Sequence, residues 1–230
     1  PNIASHLDAI IKQGDNNIKR IIVTHTHKDH SPGARPLAKQ LNVPVMGCYA
    51  KFDMSIQDET FKPDTILEDK QLINTSEYTL EVIHTPGHAS NHLCFLLQEE
   101  ECLLTGDHIM NGSTVVIAPP DGSMTEYLDS LKKLEHFKIK FLAPGHGDYL
   151  DNPKMVIEWI INHRLTREDK VLQSMQKLIE TSIEDLLLEV YDDVDPKLHP
   201  IALWSLEAHL IRLQERNLVS KKEANWKIND

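Results

Sequence analysis

Within the short segment Thr24-His25-Thr26-His27-Lys28-Asp29-His30 the chain places three imidazoles and a carboxylate, directly behind the apolar run Ile21-Ile22-Val23. An extended chain sends alternate side chains to one side, so His25 and His27 point the same way where a strand ends. Asp29 and His30 follow in a turn that brings them back toward a second position. Nitrogen and oxygen donors of this kind suit zinc, iron or manganese. A solvated polar loop is the bland alternative, but it gives no reason for this spacing. Any fold for the chain must therefore deliver a strand end into a polar, ligand-bearing site.

Bulk composition sets outer bounds. A chain of 230 residues forms one large domain, or one domain with a small appendage. With 40% hydrophobic and 26% charged residues it reads as an ordinary globule. No stretch approaches membrane-spanning length, so an integral membrane protein is not expected. A formal charge of −11 argues against a broad nucleic-acid surface, and DNA is not an expected partner. Cys48, Cys94 and Cys102 lack metal or redox spacing and read as free thiols of a reducing compartment, hence a cytoplasmic location. The chain opens on Pro1 with no apolar signal segment behind it, so targeting is unreadable from this end.

Along the chain, Ile3, Leu7, Ile10 and Ile11 recur at helical spacing, and Gly14 is a natural stop. Asn16-Asn17 is a turn, and residues 19–24 read as a buried strand running into the histidines. Residues 34–41 form a short helix that tolerates Pro36 only because it lies in the first turn. Residues 43–48 are a strand, residues 49–69 are irregular, and three strands follow at 78–84, 92–97 and 101–105. An amphipathic helix over 125–137 precedes a strand at 139–143. Beyond Asn152-Pro153 the pattern turns helical through Ile179. Ser182 or Thr181 caps another helix, residues 199–216 carry a leucine face, and residues 217–226 suit a two-stranded wing. The boundary falls near residue 152, giving segments 1–151 and 152–230.

Three further turns carry donors, each behind a strand and beside glycine: Pro86-Gly87-His88, Thr105-Gly106-Asp107 and Pro144-Gly145-His146-Gly147. Alone each is an ordinary turn. In this order behind His-x-His-x-Asp-His, the set resembles the metallo-β-lactamase superfamily of hydrolases, over residues 19–148. The resemblance implies a four-layer αββα fold of the α+β class. It implies one metal on His25, His27 and His88, a second on Asp29, His30 and His146, and Asp107 bridging the pair. Two divalent ions, zinc first with iron or manganese as alternatives, would share a bridging hydroxide that attacks an electrophilic carbonyl or phosphorus. Asp29 would take its proton. Of the other histidines (His6, His84, His92, His108, His136, His163, His199 and His209), His92 alone is expected to reach substrate, as a second catalytic group.

Departures narrow the class. No cysteine follows the ligand motifs, unlike the similar true β-lactamases, and position 27 is His where oxygen-reducing di-iron members carry Glu. Basic residues like those that bind glutathione in glyoxalase II find no match, and the single-iron persulfide dioxygenases stay a minor alternative. The tail, with Asn162-His163-Arg164 on a long helix, resembles the winged-helix tail of the β-lactamase-like protein 2 group. That resemblance implies hydrolysis of an ester, thioester or similar small anionic substrate, with single-stranded RNA as the alternative substrate. A catalytically idle metal-binding module is the reading from another class. Only 24 residues precede His25, so the family's N-terminal strands are expected to be missing, leaving a sheet edge able to pair with a second copy.

Overall fold

The computed structural model describes residues 1–15, 17–52 and 54–229, so half of the turn expected at Asn16-Asn17 lies outside the described residues. Helix α1 (Ala4–Gln13) and strand β1 (Ile21–Ile22) precede helix α2 (Ala34–Leu41) and strand β2 (Val45–Gly47). Strands β3 (Thr65–Ile66), β4 (Leu72–Asn74), β5 (Thr79–His84), β6 (Leu93–Leu97) and β7 (Cys102–Gly106) follow. Helix α3 (Met124–Leu134) then leads to β8 (Phe141–Pro144) and β9 (Leu150–Asp151). The remainder is helical, with α4 (Pro153–Leu178), α5 (Ile183–Val190) and α6 (His199–Glu215), plus three short strands, β10 (Glu180–Ser182), β11 (Val219–Lys222) and β12 (Asn225–Ile228).

Alternation along β6 shows how the layers form. Leu93 and Phe95 join Leu67, Ile73 and Val82 between two sheets, while Cys94 and Leu96 face the opposite way, with Leu103, Leu131 and Leu134 under α3. Both faces of the strand are buried, so its sequence is apolar throughout rather than alternating. The parallel sheet β1-β2-β3 is covered on its far side by α2, through Val23, Ala34, Ala38, Val45 and Phe61. The larger sheet runs β4-β5-β6-β7-β8-β9 and is covered by α3 and the first half of α4. The expected αββα layering is present.

Strand direction gathers the ligand turns. β5 and β7 are both antiparallel to β6, hence parallel to each other, and β8 runs parallel to β7 across the α3 crossover. The C-terminal ends of β5, β7 and β8 therefore open on one edge of the sheet. β1 is shorter than its apolar run suggests, because Thr24 leaves β2 and its carbonyl accepts from Leu93 N at 2.8 Å. That bond carries His25 and His27 across to the same edge.

The C-terminal segment has the expected winged-helix form, with a three-stranded sheet ordered β10-β12-β11 where two strands were expected. β10 escapes sequence pattern because it is three residues long and merges into the cap of α5, where Ser182 Oγ accepts from Asp185 N. β3, β4 and β9 are equally short, and the neighbouring strands rather than local period create them. Helix α4 belongs to both units. Ile157 and Ile160 pack in the core under the large sheet, whereas Val171 and Met175 pack with Leu206, Leu210 and Trp226.

Glu168 on α4 joins the helices of the tail. Its carboxylate is 3% exposed and accepts from Arg212, from Arg216 at 2.7 Å, and meets His209 Nδ1 at 3.4 Å. Burial alone would raise its pKa, but the bonds from His209 and Arg212 hold it below the usual range. Breaking such a buried pair strands the remaining charges. Glu168→Ala is expected to cost about 3 kcal/mol in urea unfolding, with the loss centred on the C-terminal segment in amide exchange.

Candidate metal centre

The turn after β1 folds back on itself, with His30 N and Ser31 N both donating to His27 O, at 2.9 and 3.2 Å. The result is two clusters of donor atoms. His25, His27 and His88 form one, and Asp29, His30, Asp107 and His146 the other, all atoms of each within 4.8 Å of one another. His25 Nε2 and His27 Nδ1 approach to 3.1 Å. Asp29 Oδ2 lies 3.1 Å from His146 Nε2 and 3.3 Å from His30 Nε2.

Asp107 faces both clusters. Its Oδ1 is 3.3 Å from His30 Nε2 and 3.7 Å from His146 Nε2, and its Oδ2 is 3.8 Å from His88 Nε2. The turns that aim these groups depend on glycine. Gly87 has φ +138°, and a Cβ there would sit 2.3 Å from the Tyr127 backbone. A Cβ on Gly145 would lie 2.8 Å from Asp107 Oδ1, inside the cluster itself.

These residues fit metal ions on two grounds. His27 Nε2, His30 Nε2, His88 Nε2 and Asp107 Oδ1 are buried without a hydrogen-bond partner, a costly arrangement unless something else satisfies them. Their protonation also suits a cation. Burial, and then neighbouring imidazoles, push His25 far below the ordinary histidine value, while burial, with His88 beside it, takes His27 to about 4. Burial likewise lowers His88. For Asp107 burial acts upward, yet the close approach of His30, with the fields of His88 and His146, holds its carboxyl low. Neutral imidazoles and an ionised carboxylate are the metal-binding forms.

An outer contact fixes the tautomer of His88. Val116 O can only accept, so His88 Nδ1–H donates to it at 2.7 Å and leaves Nε2 free for the cluster. Arg164 of α4 donates to the adjacent Val115 O and lies over the Tyr127 ring, so the tail's first helix braces the segment that orients His88. On the far side of the histidine turn, Thr26, Gln57, Asp121 and Ser90 form a buried chain of hydrogen bonds that ties this turn to the one carrying His88.

The expectation for His92 is corrected. Its ring is fully buried, 0% exposed, because Asp107 N–H donates to Nε2 at 3.1 Å and Nδ1 meets the Thr85 hydroxyl at 2.9 Å. It lies beneath Asp107 and cannot touch a substrate. It fixes the backbone from which Asp107 projects. The six other histidines and aspartates expected to gather with Asp107 are drawn together. The sequence reading passed over Val116 and took Arg164 only as part of the tail's motif, since nothing local marks a backbone carbonyl as a ligand's partner. It also passed over Trp204 of α6, which borders a cavity beside His27, Asp29 and His88. A tryptophan off the leucine face was the available signal.

A family model described as "Metallo-beta-lactamase superfamily" matches residues 4–146, and one described as "Beta-lactamase associated winged helix domain" matches residues 182–226. The chain belongs to the metallo-beta-lactamase superfamily. Among its relatives is a beta-lactamase-like protein 2 homolog of Drosophila melanogaster, 29% identical over 94% of this chain and 75% of that protein. The thioesterase pkgB of Emericella nidulans is 31% identical over 74% of this chain, which spans only 46% of that protein. A metallo-beta-lactamase family protein from Thermus thermophilus shares the fold, with TM-score 0.78 and 20% identity over 98% of this chain and 85% of that one.

Two outcomes are expected. His92→Ala should still fold but retain metal about 10–100-fold less tightly in chelator competition, as for other outer-shell partners. The metal-stripped protein should lose stability as pH falls. Burial holds His108 at about 3 and His27 at about 4, below the unfolded value near 6.5, so the unfolded chain binds more protons in between. Thermal midpoints should therefore fall between pH 6.5 and about 4, and His108→Gln should flatten that slope.

Proposed function

We propose that this superfamily hydrolase holds two divalent cations and cleaves a small carboxylic ester or thioester. His25, His27 and His88 would hold one ion, Asp29, His30 and His146 the other, with Asp107 shared between them. The nitrogen-and-oxygen donor set favours zinc and also accommodates iron or manganese. Bound there, such a pair supplies Lewis acidity at the scissile carbonyl and makes water acidic enough to react near neutral pH. The observation that carries the reading is Asp107, a 7% exposed carboxylate whose two oxygens face two separate groups of imidazoles.

The chain's own residues divide the work. Asp29 is half exposed at the cavity and meets both imidazoles through Oδ2, which leaves Oδ1 to accept a proton from an attacking water. The water's oxygen bonds to the acyl carbon and the carbon–sulfur or carbon–oxygen bond breaks. The proton held on Asp29 passes to the leaving thiolate or alkoxide, so the products are a carboxylic acid and a thiol or alcohol. His88, locked by Val116 O, keeps one geometry throughout. The thioesterase among the relatives supports a thioester as substrate. Among the described residues that border the cavity, Lys28 brings the cationic side chain, which suits one anionic group rather than a polyphosphate strand. Among the described residues no helix is long and apolar enough to cross a membrane.

Asp107→Asn should lower bound metal and reduce turnover by at least 100-fold, since a carboxylate shared by two cations loses its charge. The test is a panel of thioesters, esters, lactones and single-stranded RNA, run on protein whose metal has been quantified by elemental analysis. Turnover of thioester or ester without RNA cleavage is expected. RNA cleavage without ester or thioester turnover, or less than one transition metal per chain, would overturn the reading.

A further inference from the structure

The cavity beside the candidate centre has a volume of about 530 Å³, within the range of small-molecule sites. His27, Asp29 and His88 of the candidate centre line it, and Ile56, Val116, Ala118 and Trp204 supply apolar walls. Trp204 is contributed by α6, from the winged-helix segment, and so closes the cavity from a different structural unit. On that helix Leu206, Leu210 and Leu213 are fully buried in the tail's own core. Two residues before Leu206 is more than half a turn away, so Trp204 faces outward. It is 42% exposed, beside Ile201 at 45% one turn earlier, and packing in the tail does not account for either. The other two tryptophans are placed differently: Trp226 is buried in the tail's core, and Trp159 stacks on His163.

Large apolar side chains left at a cavity mouth gain stabilisation only when an apolar partner displaces water from them. We propose that this cavity is the acyl subsite of the hydrolase, taking an apolar acyl group against Trp204, and that Trp204 sets which acyl group is accepted. The proposal rests on the ester or thioester reading above and deepens it. The acyl carbonyl lies at the His27, Asp29 and His88 end, and the hydrocarbon runs toward Ile56, Val116 and the indole. Trp204 is a specificity-determining residue; it takes no part in proton transfer.

The test compares acetyl and phenylacetyl thioesters of N-acetylcysteamine, which share a leaving group. The full chain, metal-loaded, is used as wild type, Trp204→Ala, Trp204→Phe and, as a control outside the cavity, Trp159→Ala. Wild type should favour the phenylacetyl thioester at least tenfold in kcat/KM. Trp204→Ala should cut that preference at least tenfold, mainly through KM and with metal content maintained, and Trp204→Phe should restore part of it. Trp159→Ala should keep the wild-type ratio. Calorimetric binding of the non-hydrolysable phenylacetyl thioether analogue should weaken in parallel in Trp204→Ala. Equal effects on both thioesters, or an unaltered ratio in Trp204→Ala, would overturn the subsite while leaving hydrolysis standing. No turnover of either thioester with Trp204-dependent analogue binding would overturn the hydrolysis reading and leave the subsite standing.

Discussion

Crowding imidazoles into a buried space is tolerable only while they stay neutral. Charged, His25, His27, His88 and His92 would repel one another without water to screen them. Burial settles the matter by making each ring hard to protonate, and Asp107 remains as the ionised group among them. The rest of the structure serves that balance. It keeps solvent from these rings, and backbone contacts fix the tautomers of His88 and His92.

The sheet accomplishes the gathering by direction alone. With β5, β7 and β8 running the same way, the turns that carry His88, Asp107 and His146 emerge together although they are far apart in sequence. The bond from Leu93 N to Thr24 O attaches the smaller sheet's strand to that edge, so a fourth turn, with four donors, completes the set. Helix α3 presses on the Pro86-Gly87 turn, where Ser130 Oγ donates to Pro86 O at 2.8 Å. The close approach of Gly87 to Tyr127 leaves no room for a side chain.

The winged-helix segment is more than an appendage. Helix α4 runs from the catalytic core into the tail's core, and Arg164 on it reaches the Val115 carbonyl beside the residue that orients His88. Glu168, one turn further along the same helix, fastens α6 through Arg212 and Arg216. Glu168 thereby ties α4 to the helix that carries Trp204. Helix α4 starts at Pro153, and its first half packs in the core of the segment before it.

Much of this was legible in the sequence. The alternation of His25 and His27, the three glycine-flanked turns and the period of the long helices are local properties, set by backbone geometry and side-chain type within a few residues. They identified the layered fold and the winged tail, and they carried the expectation of which donors gather. What sequence could not decide was which face each group meets after folding. His92 has the same chemistry as His88 four residues earlier, yet the strand that begins at Leu93 draws it under Asp107 rather than into the cavity. Two-residue strands such as β3 and β9 exist because a neighbour offers free hydrogen-bonding groups, which no local pattern encodes. The sequence by itself determined which atoms can bind and which segments can be strands or helices, since those follow from covalent chemistry and short-range sterics. Only the tertiary structure decided that Val116 orients His88 and that Trp204 walls the cavity, since both are contacts between segments whose approach is fixed by packing of the whole chain.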